Sequence, residues 1–262
     1  MRTVLICHLA DAFDREGLAA WLASFSDLVG VVVLNETPQQ KRARVRREVR
    51  RVGLLRFLDV IAMRLYQRLA LAKADHQWTT RALDDMRSRY GVAPHVPQLI
   101  ASDVNDASVV AFLKNAAPDV VLARCKQLLK KRLISIPRVG CFVLHPGICP
   151  EYRNAHGCFW ALSQRDMDRV GMTLLKVDAG VDTGPVYGYY TYPFDEQRES
   201  HIVIQYRVVL ENLDALALRF QDIFRGSAPV IDTRDRRSGS WGQPWFSRYV
   251  RWQRAATKAA TR

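Results

Sequence analysis

The sequence predicts an α/β fold, a doubly wound and mostly parallel sheet with helices on both faces. The runs Val4–Cys7, Leu28–Leu34, Val120–Ala123 and Cys141–Leu144 are short and uniformly apolar. That is the pattern of strands covered on both faces. Segments with apolar residues at i, i+3, i+4 spacing stand between them, which is the β-α-β rhythm of an open sheet. Turn signals such as Pro118-Asp119 mark where one kind of segment gives way to the other.

Taken in order, the first strand leads into a helix over Asp11–Phe25. Leu18, Trp21, Leu22 and Phe25 share one face, and Asp11 or Asp14 is placed to cap it. The turn between them, His8-Leu9-Ala10-Asp11, holds no glycine. This excludes a dinucleotide fingerprint or a glycine phosphate cradle at that position. After strand two, Thr37–Ala72 is strongly basic, with Lys41, Arg42, Arg44, Arg46, Arg47, Arg50 and Arg51 crowded together. Val45, Val49, Val52, Leu55, Leu58, Ala62, Leu65 and Leu69 form an apolar stripe, so the segment is an amphipathic helix broken or kinked near Gly53. The stripe is expected to dock on the sheet and leave the arginines in water. A membrane-surface helix and an RNA-facing helix are the competing readings.

Trp78–Tyr90 reads as the next helix, followed by a connection through Pro94 and Pro97. A helix capped by Asn105 runs to Ala116. Beyond the fourth strand, Met172–Val177 and Val186–Tyr192 read as strands, and Ser200–Phe224 as one helix stopped by Gly226. The expected organisation is an α/β domain over 1–225 and a C-terminal extension over 226–262. That extension carries Trp241, Trp245 and Trp252, wraps back onto the body and frays over its last ten residues.

A 262-residue chain with 48% hydrophobic and 25% charged residues is ordinary for a globular protein. Its net charge of +13 is not, and it fits a polyanionic ligand, nucleic acid or an anionic surface. No uncharged run approaches the ~18 residues of a membrane span. The N-terminus reads as a strand rather than a signal peptide. Five irregularly spaced cysteines give no disulfide framework, so a cytoplasmic location is expected.

The chemistry is expected between Gly140 and Pro185. One strand ends at His145-Pro146, and a second ends in a loop, D-A-G-V-D-T-G-P, holding Asp178 and Asp182. Strand ends that deliver titratable side chains to a crevice are how open α/β sheets build sites. Histidine is the side chain most easily tuned between proton donor and acceptor near neutrality. One aspartate can cap the turn and leave the other free. Cys141, His145, Cys149, His156 and Cys158 fall close together, but no C-x-x-C or second ligand pair accompanies them. No metal site is therefore expected, nor a nucleophilic Cys149 or Cys158.

The runs H-P-G-I-C-P-E-Y-R-N-A-H-G-C-F-W, G-M-T-L-L and D-A-G-V-D-T-G-P resemble those of the folate-dependent formyltransferases. That family includes glycinamide ribonucleotide, methionyl-tRNA and sugar N-formyltransferases. The resemblance covers roughly residues 98–190 and implies a formyltransferase-like, Rossmann-type fold. It implies 10-formyltetrahydrofolate as donor and a primary amine of a small molecule, such as an amino sugar, as acceptor. His145 and Asp182 match the family's catalytic pair. Arg124, Leu128, Val143, Asp178 and Val181 match the walls of its pterin pocket, with Asn154 and His156 on the acceptor side. Nucleic acid is not the expected acceptor, because the chain leaves no room for the added RNA-binding domain of the tRNA-acting members.

One position departs from the pattern. Where the family has an asparagine two residues before the histidine, this chain has Val143. Valine donates no hydrogen bond to a developing oxyanion, a loss of ~2.7–4 kcal/mol where one donor is removed. Three readings follow: a nearby group such as Asn154 or His156 replaces the donor, the chemistry differs, or the chain binds without catalysing transfer.

Overall fold

The computed structural model describes residues 1–260. Its central sheet has seven strands in the order β3-β2-β1-β4-β5-β7-β8. These are β1 (Arg2–His8), β2 (Asp27–Leu34), β3 (Gln98–Ala101), β4 (Val120–Ala123), β5 (Gly140–His145), β7 (Met172–Lys176) and β8 (Val186–Tyr190). The two-residue strands β6 (Arg153–Asn154) and β9 (Ser240–Trp241) pair separately and in parallel. From β3 to β5 all pairings are parallel, while β7 runs antiparallel to both β5 and β8.

The uniform apolarity of the strands has a direct cause. On one face Leu5, Cys7, Phe142 and Leu144 meet Trp21, Leu22, Leu216 and Phe220 from α1 (Ala19–Phe25) and α9 (Leu213–Arg225). On the other face Val4, Ile6, Val121 and Cys141 meet Val109, Leu113 and Leu133 from α5 (Ala107–Ala116) and α6 (Lys131–Ile134). Successive residues of one strand enter opposite cores, so neither parity can be polar. The chain runs outward from β1 to β3 and then returns to β4 on β1's other side. The carboxyl ends of β1 and β4 therefore part at a switch point, where such sheets open a crevice.

The basic segment breaks at Gly53, at φ +81°, as expected, into α2 (Pro38–Val52) and α3 (Leu54–Tyr66). Several other boundaries differ from expectation. α3 then continues through a π-helical turn, Gln67–Leu71, into α4 (Ala72–Tyr90). Ser200–Phe224 is two helices, α8 (His201–Leu210) and α9, parted at Glu211-Asn212. β3 follows Pro97 directly at the edge of the sheet, the position where a missing N–H is tolerated. The last ten residues are not frayed as far as they are described. α10 (Phe246–Ala260) places Tyr249, Trp252 and Ala256 in a cluster with Met63 and with Trp160 of α7 (Gly157–Gln164). Residues 261 and 262 lie outside the described residues.

The basic helix does not dock through its stripe. α2 buries no residue, and α3 turns Val60 and Met63 inward while Leu55, Leu58, Leu65 and Leu69 are exposed. The residues that touch the core are those between the expected stripe positions.

Candidate active site

β5 carries Val143 and His145 on one face, two residues apart. His145 ends the strand because Pro146 follows and the chain doubles back. A Cβ on Gly157 would lie 2.5 Å from the Gly147 Cα, so only two glycines allow this crossing. The fold-back carries the Tyr152 carbonyl to 2.7 Å from His145 Nε2. A carbonyl only accepts, so Nε2 donates.

The partner carboxylate arrives by an unexpected path. β7 is antiparallel, with Phe142 opposite Lys176 and His145 opposite Thr173, so its carboxyl end lies beside the amino end of β5. Val177 N–H donates to Cys141 O there. The loop must then run back along β5 by about 13 Å, four residues of strand, to reach the histidine. It does so in a tight reversal that leaves no room for a Cβ at Gly184, 1.9 Å from Lys176 O. Asp178 accepts from Gly180 N–H at 2.9 Å and from the Thr183 hydroxyl at 2.8 Å, which fixes the loop. Asp182, at φ +52°, brings Oδ2 to 3.3 Å from His145 Nδ1 and accepts the Asn154 N–H at 2.8 Å. Because Nε2 already carries a proton, the contact between Nδ1 and Asp182 needs one more, on the ring or on the carboxyl.

Beside this pair opens a cavity of about 600 Å³. Val143, Leu175 and Val177 make an apolar wall, Leu128 and Leu129 a second, and Asp178, Gly180, Val181 and Asp182 the rim. Gln40, Arg44, Arg47, Asn105, Lys126 and Gln127 supply polar groups. The loop after β4 is pinned in place. Asn105 Nδ2 donates to Leu128 O at 3.0 Å and Oδ1 accepts from Lys130 N–H at 2.7 Å, while Gln127 Nε2 donates to Ser102 O at 2.8 Å. Asn105 is thus a loop fastener and not the helix cap expected, since the cap position of α5 falls at Asp106.

Of the expected site residues, His145 and Asp182 are brought together, and Leu128, Val143, Asn154, Asp178, Val181 and Asp182 line the cavity. His145 itself is buried and does not line the cavity, which it meets through Asp182, and two other residues are placed elsewhere. Arg124 lies beneath the strand ends, its Nε donating to buried Asp14 at 3.0 Å and Nη1 to Leu144 O at 2.7 Å. Burial pushes the Asp14 carboxyl up to about 7, with Arg124 opposing the shift. Arg124 thus ties the helical turn after β1, through Asp14, to the end of β5. His156 packs against His201, ring centroids 6.2 Å apart, with Nδ1 buried and unpartnered. Burial lowers its pKa to about 4. Cys149 and Cys158 are raised to about 12 by burial, which leaves them thiols at neutral pH.

Sequence reasoning missed Tyr152, whose contribution is a carbonyl and leaves no side-chain signal. It also missed Arg44 and Arg47, which follow the end of β2 and so stand over the same crevice. Their place near a strand end was the available clue.

A sequence model of the formyl transferase family matches residues 72–212, more than half of the chain. The chain belongs to this family. Among curated relatives, the methionyl-tRNA formyltransferase of Thermotoga maritima is 28% identical over 153 residues, 53% of this chain and 49% of that protein. The enzyme of the same name from Thermus thermophilus is 30% identical over 161 residues, 57% of this chain and 52% of that protein. The chain therefore spans about half the length of the curated relatives it matches. Among solved structures, a sugar N-formyltransferase from Shewanella sp. superimposes with a TM-score of 0.54 at 14% identity, covering 92% of this chain and 77% of that one. A 4-N formyltransferase from Francisella tularensis gives 0.55 at 12% identity, covering 97% and 87%. At these identities the structural matches speak to the fold of the family and not to substrate.

Proposed function

We propose that this chain is an N-formyltransferase that moves a formyl group from 10-formyltetrahydrofolate to a primary amine of a small molecule such as an amino sugar. The observation that carries the reading is the His145–Asp182 pair, 3.3 Å apart, at the edge of the 600 Å³ cavity. In this reading the apolar side chains Leu128, Leu129, Val143, Leu175 and Val177 take the flat heterocycle, and Arg44, Arg47 and Lys126 its anionic tail. The donor supplies an activated formyl carbon. In this reading Asp182, on the cavity rim, accepts a proton from the attacking amine, and His145, in contact with it through Nδ1, shares and returns that proton. Tyr152 O and Asp182 together fix the imidazole plane, so no reorganisation is needed during transfer.

Val143 is the departure that must be compensated. Asn154 stands on the cavity beside Asp182, with Nδ2 donating to Trp241 O and a second amide hydrogen left over. That hydrogen is our candidate for the missing donor. A second reading, a folate-binding relative without turnover, follows from the same apolar wall of Val143, Leu175 and Val177. Incubation with 10-formyltetrahydrofolate and a panel of amines, followed by mass spectrometry, separates the two. Formylated amine that vanishes in Asp182→Asn supports transfer; tight folate binding with no product across the panel supports the second reading.

A further inference from the structure

The region outside the cavity with the strongest unexplained character is α2 and α3. Between residues 37 and 72 there are ten basic residues and two acidic ones. Both acids are committed: Glu48 pairs with Arg51 at 2.7 Å, and Asp59 accepts from Ser247. On α3 and the turn after it, Leu54, Leu55, Leu58, Ile61, Leu65 and Leu69 are all exposed, Leu55 at 85% and Leu69 at 76%. Leu54, Leu58, Ile61 and Leu65 recur at intervals of four, three and four, so they form one continuous ridge. The face that meets the body is a different one, carried by Val60 and Met63. Scattered surface leucines need no explanation, but a six-residue ridge does.

We propose that this ridge docks the protein in the plane of a membrane surface bearing anionic headgroups. Leu54, Leu55, Leu58, Ile61, Leu65 and Leu69 enter the acyl boundary, and exposed basic side chains of α2 outside the cavity, such as Lys41, Arg42, Arg46 and Arg50, meet the headgroups. A leucine ridge bordered by a cationic band is the composition of in-plane amphipathic helices, whose binding combines apolar burial with attraction to anionic lipid. Charge decides the occupant. Two copies meeting ridge to ridge would bring two sets of ten basic residues together, a repulsive arrangement with both acids of the segment already engaged. RNA would use the arginines but leave the leucines in water. An anionic bilayer satisfies both. Arg44 and Arg47, which line the cavity, belong to α2, joined to the ridge helix α3 at Gly53, so docking would hold the cavity mouth near the lipid surface. The proposal does not depend on formyl transfer.

The test is flotation of the full chain with vesicles of phosphatidylcholine alone and of phosphatidylcholine mixed with phosphatidylglycerol. Binding is expected only to the mixed vesicles and to weaken with salt. Leu55→Glu with Leu58→Glu, and separately Arg42→Glu with Arg46→Glu and Arg50→Glu, should each lower the partition coefficient by about tenfold or more. All five side chains are exposed and outside the cavity, so circular dichroism and transfer activity should be unchanged. Equal flotation of the wild type and the leucine variant overturns the proposal. So does a dimer in light scattering that the leucine variant dissolves, or tRNA binding lost in the arginine variant where no vesicle binding is found.

Discussion

At His145 both ring nitrogens meet oxygen, Nε2 at Tyr152 O and Nδ1 at Asp182. Eleven residues on, His156 and its neighbour His201 bury three ring nitrogens that meet none. All three histidines lie largely out of solvent, so burial does not tell a partnered histidine from an orphaned one. The difference is what each ring faces. His145 sits where a fold-back and a loop each deliver an acceptor, and a cavity opens alongside. His156 and His201 sit among rings, with Phe159 5.2 Å from His201, where only neutral imidazole is accommodated. An imidazole must be partnered before it can pass a proton reproducibly.

The sharpest way to break this comparison is at the partnered ring. His145→Ala should lower formyl transfer by ~10³-fold, the scale of a lost acid–base group, with folate affinity within a few-fold of wild type. An unchanged rate in stopped assays would remove His145 from the chemistry. Next comes the missing donor. Asn154→Ala should cost ~10²-fold in kcat, and Val143→Asn in that background should restore most of it, because either amide would meet the same oxygen. Failure of the double variant to recover activity would show that Asn154 is not the substitute.

A third prediction concerns the orphaned pair. Burial holds His156 at about 4 and His201 at about 3, below the ordinary 6.5. Between those values the unfolded chain binds more protons than the folded one. Stability is therefore full above pH 6.5 and is lost as pH falls toward 4, by ~4 kcal/mol for the pair at pH 5. Asp14, raised to about 7, works in the opposite direction but is common to both proteins in a difference measurement. His201→Phe should be at least as stable at pH 7, since two unsatisfied nitrogens leave the core, and its acid unfolding midpoint should move down. Urea titrations at pH 7 and pH 5 measure both; an unmoved midpoint would show that the buried rings do not drive acid lability. The smallest effect belongs to the loop. Asp178→Ala removes the Gly180 and Thr183 contacts and should weaken folate binding by a few-fold while leaving the fold intact, on the scale of ~1 kcal/mol. Fluorescence titration would read it.

Much of the sheet was legible because its strands are covered on both faces. Val4–Cys7 and Val120–Ala123 admit no polar residue, and that leaves a plain mark in the sequence. His145 was legible for a similar local reason, as a titratable residue pinned between an apolar run and a proline. Asp182 was reached through the D-A-G-V-D-T-G-P loop and the family resemblance, since its distance from His145 depends on a long-range pairing. The direction of β7 was not legible. Met172–Lys176 reads identically in either orientation, and only pairing with β5 makes it antiparallel and sends the loop back over Val143. The long helices hid their breaks too, because Asn212 interrupts α8 and α9 without disturbing the apolar period.

The sequence by itself determined the α/β class, the order of most elements, and the chemical types at positions 143, 145, 178 and 182. Each of these follows from patterns a few residues long. Tertiary structure alone decided that Arg124 braces the sheet against Asp14, that His156 is buried among rings, and that the leucine stripe of α3 faces outward. A helical period shows that a face is apolar and leaves open what covers it. In this chain Val60 and Met63 turn to the core, and the face with the larger leucines is left bare.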